Sequence, residues 1–135
     1  MSLFNQVDTY QRLDKRIASK IEDGDLEVVL SPIIKNNLRF GSREYQTEAF
    51  TALDYYLNNS KLRARPSQVL FHMATGSGKT LVMAGAILEL YNMGYRNFIF
   101  FVNTDTIIRK TKENFLNPNS SKYLFSSSIN IDGQN

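Results

Sequence analysis

The sequence has no cysteine and a single histidine among its 135 residues. Without cysteine, a disulfide framework and thiolate zinc sites are excluded, and the composition agrees with a reducing compartment. No apolar run reaches the roughly 18 residues that a membrane-spanning helix needs. The first residues contain neither the basic stretch nor the apolar stretch of a secretory signal. The sequence therefore predicts a cytoplasmic protein that does not act at a membrane.

The sequence also lacks a strong excess of positive or negative charge. The chain has 16 Lys and Arg residues against 13 Asp and Glu residues, which gives a formal net charge of +3. This mild basic balance permits a nucleic-acid partner but does not argue for one. Hydrophobic residues make up 42% of the chain, as in an ordinary globular protein, and the length suits one domain.

Apolar patterning predicts alternating helices and strands. Helices are predicted where apolar residues recur at helical intervals, over residues 7–22, 43–57, 81–92 and 105–116. Strands are predicted at the short apolar runs 26–30, 69–71 and 98–102. Because strand, helix, strand and helix alternate from residue 69 onwards, we expect a right-handed parallel βαβ unit and an α/β fold. Residues 117–135 show no period and are predicted to form a loop.

The helix predicted at 43–57 has a starting signal and a defined face. Ser42 is the predicted N-cap, since its hydroxyl suits the free N–H groups of a first helical turn. The apolar face is predicted to consist of Tyr45, Ala49, Leu53, Tyr56 and Leu57. A polar and basic loop is expected to follow this helix.

The most informative segment is the glycine-rich stretch 73–80, which lies between a predicted strand and a predicted helix. It ends in Gly78-Lys79-Thr80, the ending of a phosphate-binding loop. Glycine lets the backbone approach phosphate closely and adopt positive φ, Lys79 suits the β- and γ-phosphates, and the Thr80 hydroxyl suits Mg²⁺. We therefore predict that Lys79 and Thr80 are catalytic, that Thr80 binds the metal, and that the nucleotide is held by Thr75, Gly76, Ser77, Gly78, Lys79 and Thr80.

One position departs from the general motif. Met73 stands five residues before Gly78, where ordinary phosphate-loop kinases and GTPases have glycine. This difference disfavours those enzymes and favours helicase-type variants of the loop. His72 has no second histidine and no cysteine to share a metal with, so it is interpreted as an ordinary residue at a strand end.

Three blocks of the sequence resemble superfamily 2 helicases and translocases, and within them the motor subunit of type III restriction–modification enzymes. The first block is Arg43-Glu44-Tyr45-Gln46, which is similar to the glutamine motif of that family. The second block is the loop at 73–80, which is similar to motif I. The third is Phe101-Val102-Asn103-Thr104, which is similar to motif Ia.

The resemblance implies a RecA-like ATP-binding motor domain over residues 41–135, preceded by a mostly helical extension over residues 1–40. It implies ATP and Mg²⁺ as cofactors, duplex DNA and a modification or specificity subunit as partners, and nucleic-acid contacts by Thr104 and Arg109. It also implies that Arg43 and Gln46 bind adenine; these residues share a helical face, and an amide matches the adenine edge. Whether the parent protein cleaves DNA is left open.

The chain does not contain every part that hydrolysis needs. No apolar run is followed by the Asp-Glu pair that holds Mg²⁺ and activates water in this family. We therefore expect a motor domain truncated before that strand, and a piece that does not turn over nucleotide alone. The alternatives are another superfamily 2 helicase, a small kinase, and a non-hydrolysing nucleotide-binding piece.

Overall fold

The computed structural model describes residues 15–131. Five helical segments occur there, which we number in chain order: α1 at 15–22, α2 at Pro32–Asn37, α3 at Glu44–Asn58, α4 at Lys79–Asn92 and α5 at Asp105–Leu116. Three of the predicted helices are confirmed with small shifts of their ends. Of the predicted helix at 7–22, the part at 7–14 lies outside the described residues. None of the helices in the described range is both long and apolar enough to cross a bilayer.

The prediction of an α/β fold with a RecA-like parallel sheet is wrong for the described residues. Between residues 15 and 131 there is no β-strand, and the one named pairing is an isolated antiparallel bridge between Leu38 and Phe125. The runs 69–71 and 98–102 are not paired in any ladder and are largely exposed, with 80% of Ile99 and 85% of Phe101 accessible. An apolar run becomes a strand only where a neighbour takes up its backbone hydrogen bonds.

The predicted strand at 26–30 is also absent, and a side chain takes the place of a strand partner. The Thr51 hydroxyl on α3 accepts from the Val29 N–H at 3.1 Å and donates to the Val29 carbonyl at 2.9 Å. One threonine therefore fixes this extended segment to α3. The short helix α2 that follows was not predicted, although proline at its first position, Pro32, is typical of helix starts.

The main core forms where α4 packs against both α2 and α3. Phe50 of α3 is fully buried, and a Cβ added to Gly85 of α4 would collide with its ring. The two helices approach this closely because Gly85 has no side chain. The buried members of this core are Ile34, Leu38, Phe50, Leu81, Val82, Ala84, Leu88, Leu124 and Phe125.

Residues 117–131 form an irregular segment, as predicted, but they pack onto the core. Leu124 and Phe125 are buried, and the Phe125 ring meets Phe115 edge to face, with centroids 5.6 Å apart. The fully buried Asn37 amide holds the same segment at a second point. It accepts from the Asn130 N–H at 2.6 Å and donates to the Asn130 carbonyl at 2.9 Å.

A buried carboxyl joins α4 to the start of α2. Glu89 is buried and accepts a hydrogen bond from the hydroxyl of Ser31, the N-cap of α2. Ser31 makes no side-chain cap hydrogen bond to the backbone of α2. Burial raises the pKa of Glu89; the Ser31 hydrogen bond opposes this rise, and the charge of Asp54 adds to it.

We predict that Gly85→Ala destabilises the fold. The new methyl group meets the Phe50 ring, and overpacking of this kind costs about 1–3 kcal/mol, against a gain in helix propensity of about 1 kcal/mol. Gly41→Ala is the control, since a Cβ at Gly41 meets nothing within 4 Å. Urea denaturation followed by circular dichroism measures both variants. A Gly85→Ala protein as stable as the parent would show that the two helices have room to separate.

We also predict that Glu89→Gln changes the pH dependence of stability. Because the folded-state pKa of Glu89 is raised, the folded state binds more protons than the unfolded state, and stability falls as pH rises through that pKa. Glutamine keeps an acceptor for Ser31 but carries no charge. The free energy of unfolding of Glu89→Gln, relative to that of the parent, should therefore increase as pH rises above the ordinary pKa of a glutamate. The exposed variant Glu48→Gln is the control, and a difference that does not grow with pH contradicts the prediction.

Candidate phosphate-binding loop

The predicted phosphate loop forms a tight turn directly before α4. Gly76 and Gly78 have φ angles of 78° and 83°, and Gly78 is the N-cap of the helix. This left-handed region is costly for residues with a Cβ atom, so glycine is required at both positions. The Ser77 hydroxyl donates to the Ala74 carbonyl at 2.7 Å and closes the turn.

The Lys79 side chain folds back over the start of this loop. Its ammonium donates to the carbonyl oxygens of Met73 at 2.7 Å and Ala74 at 2.8 Å. Two of its three hydrogens are used in this way. The positive charge is thereby held at the loop, in an exposed position.

The loop and the first turn of α4 present unused hydrogen-bond donors. Within residues 15–131, no acceptor is found for the backbone N–H groups of Gly76, Gly78, Lys79 and Thr80, or for the Thr80 hydroxyl. Free N–H groups at a helix start carry the positive end of the helix dipole. Together with the Lys79 ammonium they form a site whose chemistry suits a phosphate group.

The structure brings the glutamine block to this loop. Gln46 is only 4% exposed; its amide donates to the Ser77 carbonyl at 2.8 Å and accepts from the Arg43 N–H at 2.9 Å. Arg43 is the N-cap of α3, so the prediction that Ser42 caps this helix is wrong. The Ser42 hydroxyl pairs with that of Thr47 instead, at 2.8 Å. The contact of Arg43 and Gln46 with adenine stays a prediction.

Tyr45 belongs to the glutamine block, but no role of its own was predicted for it. Helical spacing placed it on the apolar face of α3, but it is 40% exposed, and its hydroxyl donates to the Ser77 carbonyl at 2.9 Å. The hydroxyl also receives a hydrogen bond from the Arg43 guanidinium at 3.1 Å. Residue spacing along a helix gives no information about a loop more than 30 residues further on, so helical periodicity did not point to this contact. The signal that could have found it is the resemblance of both segments to nucleotide-binding motifs of one family.

Thr104 and Arg109 belong to α5, and within the described chain no hydrogen bond links them to the loop. Thr104 is the N-cap of α5, and its hydroxyl accepts from the Ile107 N–H at 3.4 Å. No residue of α5 is buried, and Arg109 is exposed. In the described part of the chain, no cluster of three or more His, Cys, Asp or Glu residues could hold a metal. His72 is exposed and is not part of a strand, whereas a position at a strand end was expected.

The glycine turn, the lysine and the open helix start have the arrangement that is typical of phosphate-binding loops. The family comparison identifies the chain more closely. Residues 39–135 match the family model of the type III restriction enzyme Res subunit, and the chain belongs to this family. The matched range contains both the glutamine block and the loop.

A curated relative agrees with the family match. It is the "Probable type III restriction-modification enzyme HindVIP Res subunit" of Haemophilus influenzae, which is 40% identical over 106 residues. The aligned region covers 74% of this chain and 21% of the relative, so the chain spans about a fifth of that protein. No solved structure gives a significant match.

We predict that Gly78→Ala is more destabilising than Gly76→Ala. Both residues have positive φ, which costs alanine about 1–2 kcal/mol. A Cβ at Gly78 would also collide with the Gln46 amide, whereas one at Gly76 meets nothing within 4 Å. Gly76→Ala therefore measures backbone strain alone, and the difference in the free energy of unfolding measures the contact between α3 and the loop. Equal effects would mean that Gln46 moves aside without cost.

Proposed function

We propose that this chain is the ATP-binding part of a DNA-dependent ATPase, a translocase of a type III restriction–modification system. The observation that carries this proposal is the loop at 73–80, where the Lys79 ammonium and free backbone N–H groups occur together in one short turn. Membership of the Res subunit family supports the translocase part of the proposal. In this role the protein is a hydrolase that acts with duplex DNA and a modification subunit.

The residues of the loop have distinct roles in the proposal. The Lys79 ammonium exchanges the carbonyl oxygens of Met73 and Ala74 for β- and γ-phosphate oxygens, which are better acceptors because they are charged. The free N–H groups of Gly76 and Gly78 hold further phosphate oxygens. The Thr80 hydroxyl, which has no partner among residues 15–131, suits Mg²⁺. When bound there, Mg²⁺ neutralises charge on the phosphates.

The remaining sites in the proposal lie on α3 and α5. Arg43 and Gln46 stand at the loop and contact the adenine ring, which requires the spare amide hydrogen of Gln46 or a change of its partners. Thr104 and Arg109 contact the DNA backbone. The support for this second assignment is that α5 buries none of its residues and carries exposed basic side chains at 109, 110 and 112.

The test is ATP hydrolysis by the full-length protein, with and without duplex DNA. We expect DNA to stimulate hydrolysis, and we expect Lys79→Ala to lower the stimulated rate at least about 100-fold, as the loss of a preorganised charge at phosphate does in related chemistry. Lys35→Ala, which removes the same charge from an exposed position on α2, is the matched control.

The possible results separate the candidate functions. Hydrolysis that DNA does not change, or that survives Lys79→Ala, contradicts the translocase proposal. Binding of ATP that depends on Lys79, with no hydrolysis in the presence of DNA, would instead identify a non-hydrolysing nucleotide-binding protein.

A further inference from the structure

Two side chains of α3 converge on one carbonyl of the phosphate loop. The Tyr45 hydroxyl and the Gln46 amide both donate to the Ser77 oxygen, at 2.9 Å and 2.8 Å. A carbonyl oxygen has two lone pairs, so its hydrogen-bonding capacity is filled by these two donors. The direction of the Ser77 carbonyl is therefore fixed by α3 and not by the loop alone.

Fixing this carbonyl also fixes the next backbone N–H. The Ser77–Gly78 peptide is trans, and in a planar trans peptide the C=O and N–H bonds point in opposite directions. Since the Ser77 oxygen points towards α3, the Gly78 N–H points away from α3. This N–H finds no acceptor within residues 15–131, and it is one of the donors available to a phosphate.

The hydroxyl of Tyr45 is itself held in place. It accepts from the Arg43 guanidinium while it donates to Ser77, so its one hydrogen is committed to the loop. The helix beneath it does not move freely, because Phe50 is fully buried against α4 at Gly85. The contact thus joins a rigid helix to the turn that precedes α4.

We infer that Tyr45 is a positioning residue for phosphate binding, acting through the Ser77–Gly78 peptide without touching the ligand. This inference rests on the proposed function of the loop. It assigns Tyr45 a role different from contact with the adenine base. Loss of its hydroxyl frees one lone pair of the Ser77 oxygen and lets the peptide rotate, so the Gly78 N–H is no longer preorganised.

The test is Tyr45→Phe in the full-length protein, with binding of ATP and of inorganic tripolyphosphate measured by calorimetry. We expect both ligands to bind about threefold to tenfold more weakly and by the same factor, since one neutral hydrogen bond is lost and tripolyphosphate has no base. The thermal midpoint should stay unchanged, because the side chain is partly exposed. Tyr55→Phe is the control: it lies on the same helix, and its hydroxyl has no hydrogen-bond partner in the described chain.

Three results would overturn the inference. Affinities equal to those of the parent would show that Gln46 alone fixes the peptide. A loss limited to ATP, with tripolyphosphate unchanged, would make Tyr45 a base contact. An equal loss in Tyr55→Phe would make the effect unspecific. Lys79→Ala, measured in parallel, separates this inference from the proposed function: if the parent binds neither ligand, or Lys79→Ala binds both as well as the parent, the phosphate site itself is disproved.

Discussion

The packing of Phe50 against the backbone of α4 is the contact on which the rest of the structure depends. It requires Gly85, because any side chain there would meet the ring. The contact sets the distance between α3 and α4. The segments that pack at each end of this helix pair are positioned by that distance. At one end, the first turn of α3 reaches the loop before α4. At the other, α2 and the irregular segment 117–131 cover the same core.

The conformation of the loop at 73–80 depends on this helix pair. Glycine at positions 76 and 78 makes the turn possible, but glycine alone leaves a loop free to adopt many conformations. The hydrogen bonds from α3 to the Ser77 carbonyl restrict this freedom, and so do the bonds from the Lys79 ammonium to the start of the loop. A loop held in this way would lose less conformational entropy on binding the phosphate that we propose for it.

The apolar runs at 69–71 and 98–102 explain why the predicted α/β fold was wrong. Continuous apolar residues are typical of strands buried on both faces, and these two runs flank the loop and α4 as strands of a βαβ unit would. Neither run pairs with another segment between residues 15 and 131, and Leu70, Ile99 and Phe101 are mostly exposed. Strand formation depends on a neighbour that supplies hydrogen bonds, and composition does not report whether one is present.

The sequence by itself determined the helices α3, α4 and α5, the glycine turn before α4 and the family, because helical periodicity and the Gly78-Lys79-Thr80 ending are local features. Only the tertiary structure decided that Gln46 and Tyr45 hold Ser77, that Thr51 fixes the segment at 26–30, and that Asn37 holds the segment ending near Asn130. Each of these contacts joins residues more than 20 positions apart. Their hydrogen bonds depend on where core packing places the helices and the segments between them, and that placement is a property of the whole core.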